Sequence, residues 1–212
     1  MTPSLPHALL TAMPPELLQT WILPALLGLG LAAATGLRTF LPLLAVSAAA
    51  RFDLFGLDLH EKVAWLEGTP ALIALAAATL IELVADKVPI LDHGLSALGT
   101  ITRPAAAILA AGSVFVGVDP AVAAIAGLII GLPTSLAFHT AQTGTRLAST
   151  ATTGGLANPF VSAVEDVLAF ATVLIALAAP ILVPVVLILL LMAIWRMVRA
   201  ARRRMAPPPP RA

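Results

Sequence analysis

Two carboxylates four residues apart stand in an otherwise apolar run, IELVADKVP, a spacing that puts Glu82 and Asp86 on one face of a helix. Glu165 and Asp166 form a second acidic pair early in another apolar stretch, FVSAVEDVLAF, and Asp92 with His93 occupies the short segment LDHGL. Arg38 and Arg146 each end a Thr-Gly-x-Arg motif, TGLR and TGTR, set among small residues. Ionisable groups in or beside membrane-depth segments are costly unless paired or hydrated, so each is a functional candidate. Carboxylates beside His93 or His139 could bind a hard cation or relay protons. Guanidinium groups, hydroxyls and a glycine-rich backbone could instead receive a phosphate or carboxylate, above all where a helix N-terminus points inward. Read structurally, the same charges are ion pairs that fix helix register, and residue types alone leave both readings open. Lys87 and Arg103 read as interfacial anchors, His139 as a satisfied interfacial histidine, and His7 and His60 as solvated.

Between two strongly apolar segments lies a polar island, residues 139–159, HTAQTGTRLASTATTGGLANP, with seven hydroxyl side chains and almost no bulk. Small residues permit close helix approach in membranes, and Ser and Thr can hydrogen-bond across helices. Gly-Gly and Asn-Pro break regular helix. The expectation is a bent helix end followed by a partly re-entrant segment, with Thr143, Thr145, Thr150, Thr152, Thr153 and Asn158 lining a polar cleft. The plainer alternative is an ordinary cytoplasmic loop.

The elements that must hold these residues follow from composition. The 212-residue chain has a mean hydropathy of +1.00 and only 11% charged residues, against about 25% in soluble domains. Several runs approach the roughly 20 residues that cross a bilayer as helix. Runs such as AVAAIAGLIIGL lack the alternation of a membrane β-barrel. The expected fold is all-α, a polytopic helical membrane protein of about six transmembrane helices, some broken. The spans are Trp21 to Ala50 (interrupted at TGLRT), Pro70 to Asp86, Pro104 to Val118, Pro120 to His139, and two within Phe160 to Arg196 parted at Pro180 and Pro184.

Residues 1–19 read as an interfacial or disordered leader, retained because no basic n-region precedes it. Residues 20–200 read as one transmembrane domain and 201–212 as a basic, Pro-rich cytoplasmic tail. The two TGxR motifs, with Pro70 and Pro159 each opening the following span, suggest an inverted 3+3 repeat with halves 20–118 and 119–200. Net charge is +1, which gives no signal for nucleic acid, and the absence of cysteine excludes disulfides and thiolate chemistry. One side of a six-span topology collects Lys87, Arg103, Arg146 and the C-terminal arginines, which places both termini in the cytoplasm.

No G-x-S-x-G, H-E-x-x-H or Walker-type loop occurs, so an enzyme is not the expected class and no cofactor is implied. The stretches GLRTFLPLLA, ELVADKVPILDHGLSALGTITRPAA, TRLASTATTGGLANPFVSAVEDVLA and WRMVRAARRR resemble a bacterial integral-membrane family designated domain of unknown function 4126. The resemblance implies a helical membrane protein and brings no activity, ligand or site residue with it; the expected location is the bacterial cytoplasmic membrane. The leading expectation is a small permease or channel-like transporter for an ion or small polar solute. Glu82, Asp86, Glu165 and Asp166 would be its acidic cluster, Asp92 and His93 further ligands, and Arg38 and Arg146 its cations. The alternative is a non-transporting scaffold that binds lipid or protein, its C-terminal arginines gripping anionic headgroups. Membrane lipids and a second copy of the chain are the other partners expected, and a lipid-modifying enzyme has no motif behind it.

Overall fold

A computed structural model describes residues 14–87 and 89–205, apart from the side chains at 89–97, 194, 197–198 and 200–205. The regular structure of the described backbone is all helical, with no strand among the described residues. Helix α1 spans Pro15–Leu37, α2 Leu41–Arg51, α3 Thr69–Ala85, α4 Pro89–Ser113, α5 Pro120–Thr153, α6 Asn158–Ala178 and α7 Val183–Met205. A 3-10 turn, Glu61–Glu67, leads into α3 at an angle of 68°. Helices α1, α5 and α6 are long and apolar enough to cross a membrane, and the bent pair of the 3-10 turn and α3 makes a fourth if taken as one span. The chain is thus an all-helical, membrane-type protein with three to four candidate spans among the described residues, where six were expected. Helix α1 begins at Pro15, inside the segment read as a leader.

Proline sets the helix starts. Pro42, Pro70, Pro120 and Pro159 each sit in a first turn, where the missing N–H has no intrahelical partner to lose. Asp119 completes the start of α5 by accepting from the Ala121 amide at 2.8 Å. Pro104 does not open a helix as expected. It lies inside α4, which already begins at Pro89.

Residues Trp21 to Ala50 do not form one interrupted crossing. The Trp21 ring meets Phe115 at 6.3 Å, and the far end of α2 is tied to the same end of the bundle. There Ser47 Oγ donates to the Leu66 carbonyl at 2.6 Å and the His60 amide donates to that of Ser113 at 2.8 Å. Helix α2 therefore doubles back on α1. The break falls at Arg38, whose extended backbone (φ −137°, ψ 118°) ends α1.

The core is built on close backbone approach. A Cβ at Gly131 would lie 2.6 Å from the Ala107 carbonyl oxygen, one at Gly127 2.4 Å from that of Ile108, and one at Gly36 2.6 Å from that of Ser135. Small residues thus let α1, α4 and α5 pack nearly backbone to backbone, the contact that drives helix association in lipid.

The polar island is not re-entrant. It continues α5 without interruption to Thr153, and only Gly154 to Ala157 turn. The hydroxyls bond along their own helix: Thr140 to the Leu136 carbonyl (2.8 Å), Thr143 to His139 (3.0 Å), Thr145 to Ala141 (3.0 Å), Thr152 to Ala148 (2.9 Å) and Thr153 to Ser149 (2.8 Å). A run of i−4 back-bonds replaces the cleft. Gly-Gly closes the helix, with Gly154 at φ +63° and Gly155 at φ +89°, where a Cβ is penalised. At 34 residues, α5 is about 51 Å long, well beyond the ~30 Å hydrocarbon thickness. Its apolar half ends near Phe138, and the island is the remainder.

Candidate functional site

The helix break at Arg38 gathers charged residues from five helices. Arg38 is fully buried and pairs through its guanidinium with Asp86 at the end of α3 and with Asp166 on α6. The same group donates to Ser162 Oγ at 2.9 Å and to the Ser162 carbonyl at 3.2 Å, and stands 3.9 Å from Glu165. Arg146, from the island, donates to Glu165 at 2.7 Å and to Asp86 at 3.1 Å. Lys87 pairs with Asp166 at 2.8 Å. Asp86 is therefore shared between two arginines and Asp166 between an arginine and a lysine. Side-chain exposure rises from 0% at Arg38 through 3% at Asp86, 8% at Glu165, 14% at Arg146 and 22% at Asp166 to 44% at Lys87. The network is buried at its inner end and exposed at its outer one.

Glu82 does something different from its expected partner Asp86. Its carboxylate accepts from the Thr39 amide at 2.8 Å and the Phe40 amide at 3.1 Å, the free donors at the start of α2. A negative charge there also meets the positive end of the helix dipole. On the other side of the break, Arg103 donates to the Gly36 carbonyl at 2.9 Å, and Gln142 donates to the Leu37 carbonyl at 3.2 Å. A buried anion caps the helix that starts, and a buried cation caps the one that ends. Arg103 also donates to Gln142 Oε1 and, at 2.8 Å, to His139 Nδ1. A guanidinium can only donate, so Nδ1 must accept, which leaves Nε2 facing the Thr100 hydroxyl at 3.5 Å. Gln142 bridges the two assemblies, because its Nε2 also donates to Glu165 at 2.8 Å.

Of the residues expected from sequence, Arg38, Glu82, Asp86, Arg146, Glu165 and Asp166 come together here. Asp92 and His93 lie on α4, with side chains outside the described residues. Thr143 and Thr145 sit on the inner stretch of α5, engaged with their own helix. Thr150, Thr152, Thr153 and Asn158 stand at the exposed α5–α6 corner, where Asn158 donates to Thr150 Oγ1 at 3.0 Å. Arg103 and His139, read as peripheral, are structural centres of the break. Gln142 and Ser162 went unremarked. The signal for Gln142 was present, since His139, Gln142 and Arg146 are spaced three and four apart and share one helical face.

The arrangement shapes the chemistry available. No group of three or more His, Asp or Glu side chains is placed to hold a metal ion among the described residues. Each carboxylate of the cluster is already engaged with an arginine, a lysine or backbone amides, so a hard cation would have to displace them. Lys87 and Asp166 are the most exposed groups of the network, with Arg146 next.

The family model described as Domain of unknown function (DUF4126) matches residues 25–200, and the chain belongs to that family. No curated protein and no solved structure matches it.

Proposed function

We propose that this member of the DUF4126 family is a small permease of the bacterial cytoplasmic membrane that admits an ion or small polar solute at the charged helix break. The observation that supports this most is the graded network. A buried arginine, Arg38, is connected through shared carboxylates to Arg146 and Lys87 at a wet rim. Broken helices with paired charges at the break are a recurring transporter site, and shared carboxylates permit exchange of partners without leaving a bare buried charge.

The rim, with Arg146, Lys87 and the arginines that end α7, faces the cytoplasm on this reading. Since α2 doubles back, the start of α1 then faces outward, which revises the expected cytoplasmic N-terminus. Helices α2, α4 and α7, 11, 25 and 23 residues long, would bring the crossing or membrane-inserted segments to seven. The test is uptake into proteoliposomes of labelled cations, phosphate, carboxylates and amines. Uptake of one class that is lost in Arg146→Gln and retained in Thr152→Ala supports the proposal. An inert panel with protein that unfolds cooperatively would refute it.

A scaffold is the second reading, favoured by one observation: every network carboxylate has a partner within the chain. It predicts no uptake and a stability loss in Arg146→Gln.

A further inference from the structure

Residues 52–67 join the end of α2 to the start of α3, away from the charged break. Phe52, Leu54, Phe55 and Trp65 are exposed there, and Leu59, His60 and Leu66 are the buried side chains of the segment. Asp53 and Phe55 hold left-handed backbone, at φ 51° and 62°, which a bulky side chain such as that of Phe55 disfavours. Few buried groups and strained backbone mark a segment that opens more readily than the helices around it.

His60, expected to be solvated, is 4% exposed and ties this segment down. Its amide donates to the Ser113 carbonyl at the end of α4 at 2.8 Å. Its ring Nδ1 accepts from the Lys62 amide at 3.2 Å, which caps the 3-10 turn, and Nε2 lies 3.1 Å from the Val118 carbonyl between α4 and α5. An amide N–H can only donate and a carbonyl can only accept, so the two ring nitrogens must play opposite roles. The neutral Nε2–H tautomer satisfies both; the cation does not. A proton on Nδ1 would face the Lys62 N–H, donor against donor. Because the ring is rigid, turning Nδ1 away from Lys62 also draws Nε2 from Val118.

The charged groups on the elements packed about this ring are few. Its own segment carries Asp53, Asp58, Glu61, Lys62 and Glu67, with Glu61 and Lys62 paired at 3.8 Å in solvent. Asp119, beside Val118, is engaged by the Ala121 amide at 2.8 Å, and Arg51 of α2 donates to the Glu67 carbonyl at 3.1 Å. The α4 and α5 residues that line the cavity next to His60, among them Ile108, Leu109, Ser113 and Ala123, are uncharged.

We propose that residues 52–67 form a pH-sensitive strap, fastened across α4 and α5 by neutral His60 and released from them when that ring takes up a proton. The ties to α2 do not titrate in the same range: Ser47 Oγ donates to the Leu66 carbonyl at 2.6 Å and Arg51 to that of Glu67 at 3.1 Å. The strap therefore swings on its α2 side and opens on its α4–α5 side, uncovering a cavity of about 260 Å³ between Val63 and those two helices. Such a switch works whether or not the chain transports.

The sign follows from the hydrogen-bond roles. The closed strap needs the neutral ring, so closure is favoured above the range in which an exposed histidine charges and is lost as pH falls through it. For a ring that charges only when open, near pH 6.5 as an exposed histidine does, the opening constant grows about thirtyfold from pH 8 to pH 5. The assay is hydrogen exchange of the full chain in detergent micelles, read by mass spectrometry as protection factors, which remove the intrinsic pH dependence of exchange. Peptides covering residues 60–67 should lose about thirtyfold in protection over that range while those from the inner part of α5 hold. His60→Asn, whose side-chain oxygen can still cap the turn but does not titrate, should keep the protection of residues 60–67 constant within about twofold. Flat protection in the unmodified chain overturns the switch. So does an equal loss in His60→Asn, which assigns the titration to Asp58, Glu61 or Asp119, and so does a loss shared by all peptides, which is global acid unfolding. His60→Gln, also an acceptor that does not titrate, replaces His60→Asn if that variant does not unfold cooperatively.

Discussion

Replacing Arg38 with methionine separates the network's members by what each keeps. Removing one partner from a buried ion pair costs about 3–5 kcal/mol, because a charge is left uncompensated. Here the survivors retain second partners: Asp86 keeps Arg146 at 3.1 Å and Asp166 keeps Lys87 at 2.8 Å. The expected loss therefore falls at the low end, about 3 kcal/mol, and comes chiefly from the excess negative charge and from Ser162, which loses its 2.9 Å donor and keeps only Lys87 at 3.5 Å. Arg38→Lys recovers little, since one ammonium cannot reach Asp86, Asp166 and Ser162 as a fork does. Asp86→Asn in the same background should cost less than Asp86→Asn alone, with a coupling of about 1–3 kcal/mol. The assay is equilibrium unfolding in mixed detergent micelles, followed by circular dichroism, for the two singles and the double. A loss below about 1 kcal/mol for Arg38→Met, the level of exposed pairs, would refute the account of Arg38 as the buried centre of the charge network.

Glu82→Gln should destabilise by about 1–3 kcal/mol, because a neutral amide has one acceptor for two N–H groups; hydrogen exchange at Thr39 and Phe40 should quicken while α6 stays protected. Gly131→Ala should cost about 1–3 kcal/mol in micelle unfolding, since the new Cβ meets the Ala107 backbone, which cannot rotate away. Gly144→Ala should instead stabilise by about 0.5–1 kcal/mol, as its site is helical with nothing within 4 Å of an added Cβ. Gly154→Ala should cost about 1–2 kcal/mol by the same measurement, set by its φ of +63°.

The apolar segments, the helix starts at Pro70, Pro120 and Pro159 and the break before Pro180 were legible because each has a local cause: hydropathy, a fixed φ, a missing donor. The interruption at TGLRT was legible for the same reason, yet its consequence was not. Whether a chain passes straight through a break or doubles back depends on what receives the second helix, and Ser47 meeting Leu66 is a contact between distant residues. The island misled for a related reason. Its threonines are poor helix formers in isolation, but five of the six back-bond to their own helix, and the inner part of that helix is held by Gln142 and Arg146 against α6. The clustering of Arg38, Arg146, Asp86, Glu165 and Asp166 followed from topology. The separate task of Glu82 did not, because helical spacing pairs it with Asp86 whatever each one touches.

The division of labour around Arg38 bears on what the network is for. Glu82, Arg103 and Gln142 are enough to hold the break, since between them they satisfy backbone groups on both of its sides. Arg38, Asp86, Glu165, Arg146, Asp166 and Lys87 go beyond that need. A static joint between α3, α5 and α6 could be made with one-to-one pairs, whereas here Arg146 spans two carboxylates and Asp86 two arginines. Sharing lowers the cost of changing partners, because each group that lets go still has another to hold. The exposure gradient gives such exchange a direction, starting at Lys87 and Asp166, where water already reaches, and ending at Arg38. An anionic solute entering at Lys87 and Arg146 would compete with Asp166 and Glu165, while Arg38 and Gln142 kept those carboxylates compensated. That is the physical case for a site over a rivet, and it favours an anion over a cation as the solute to try first.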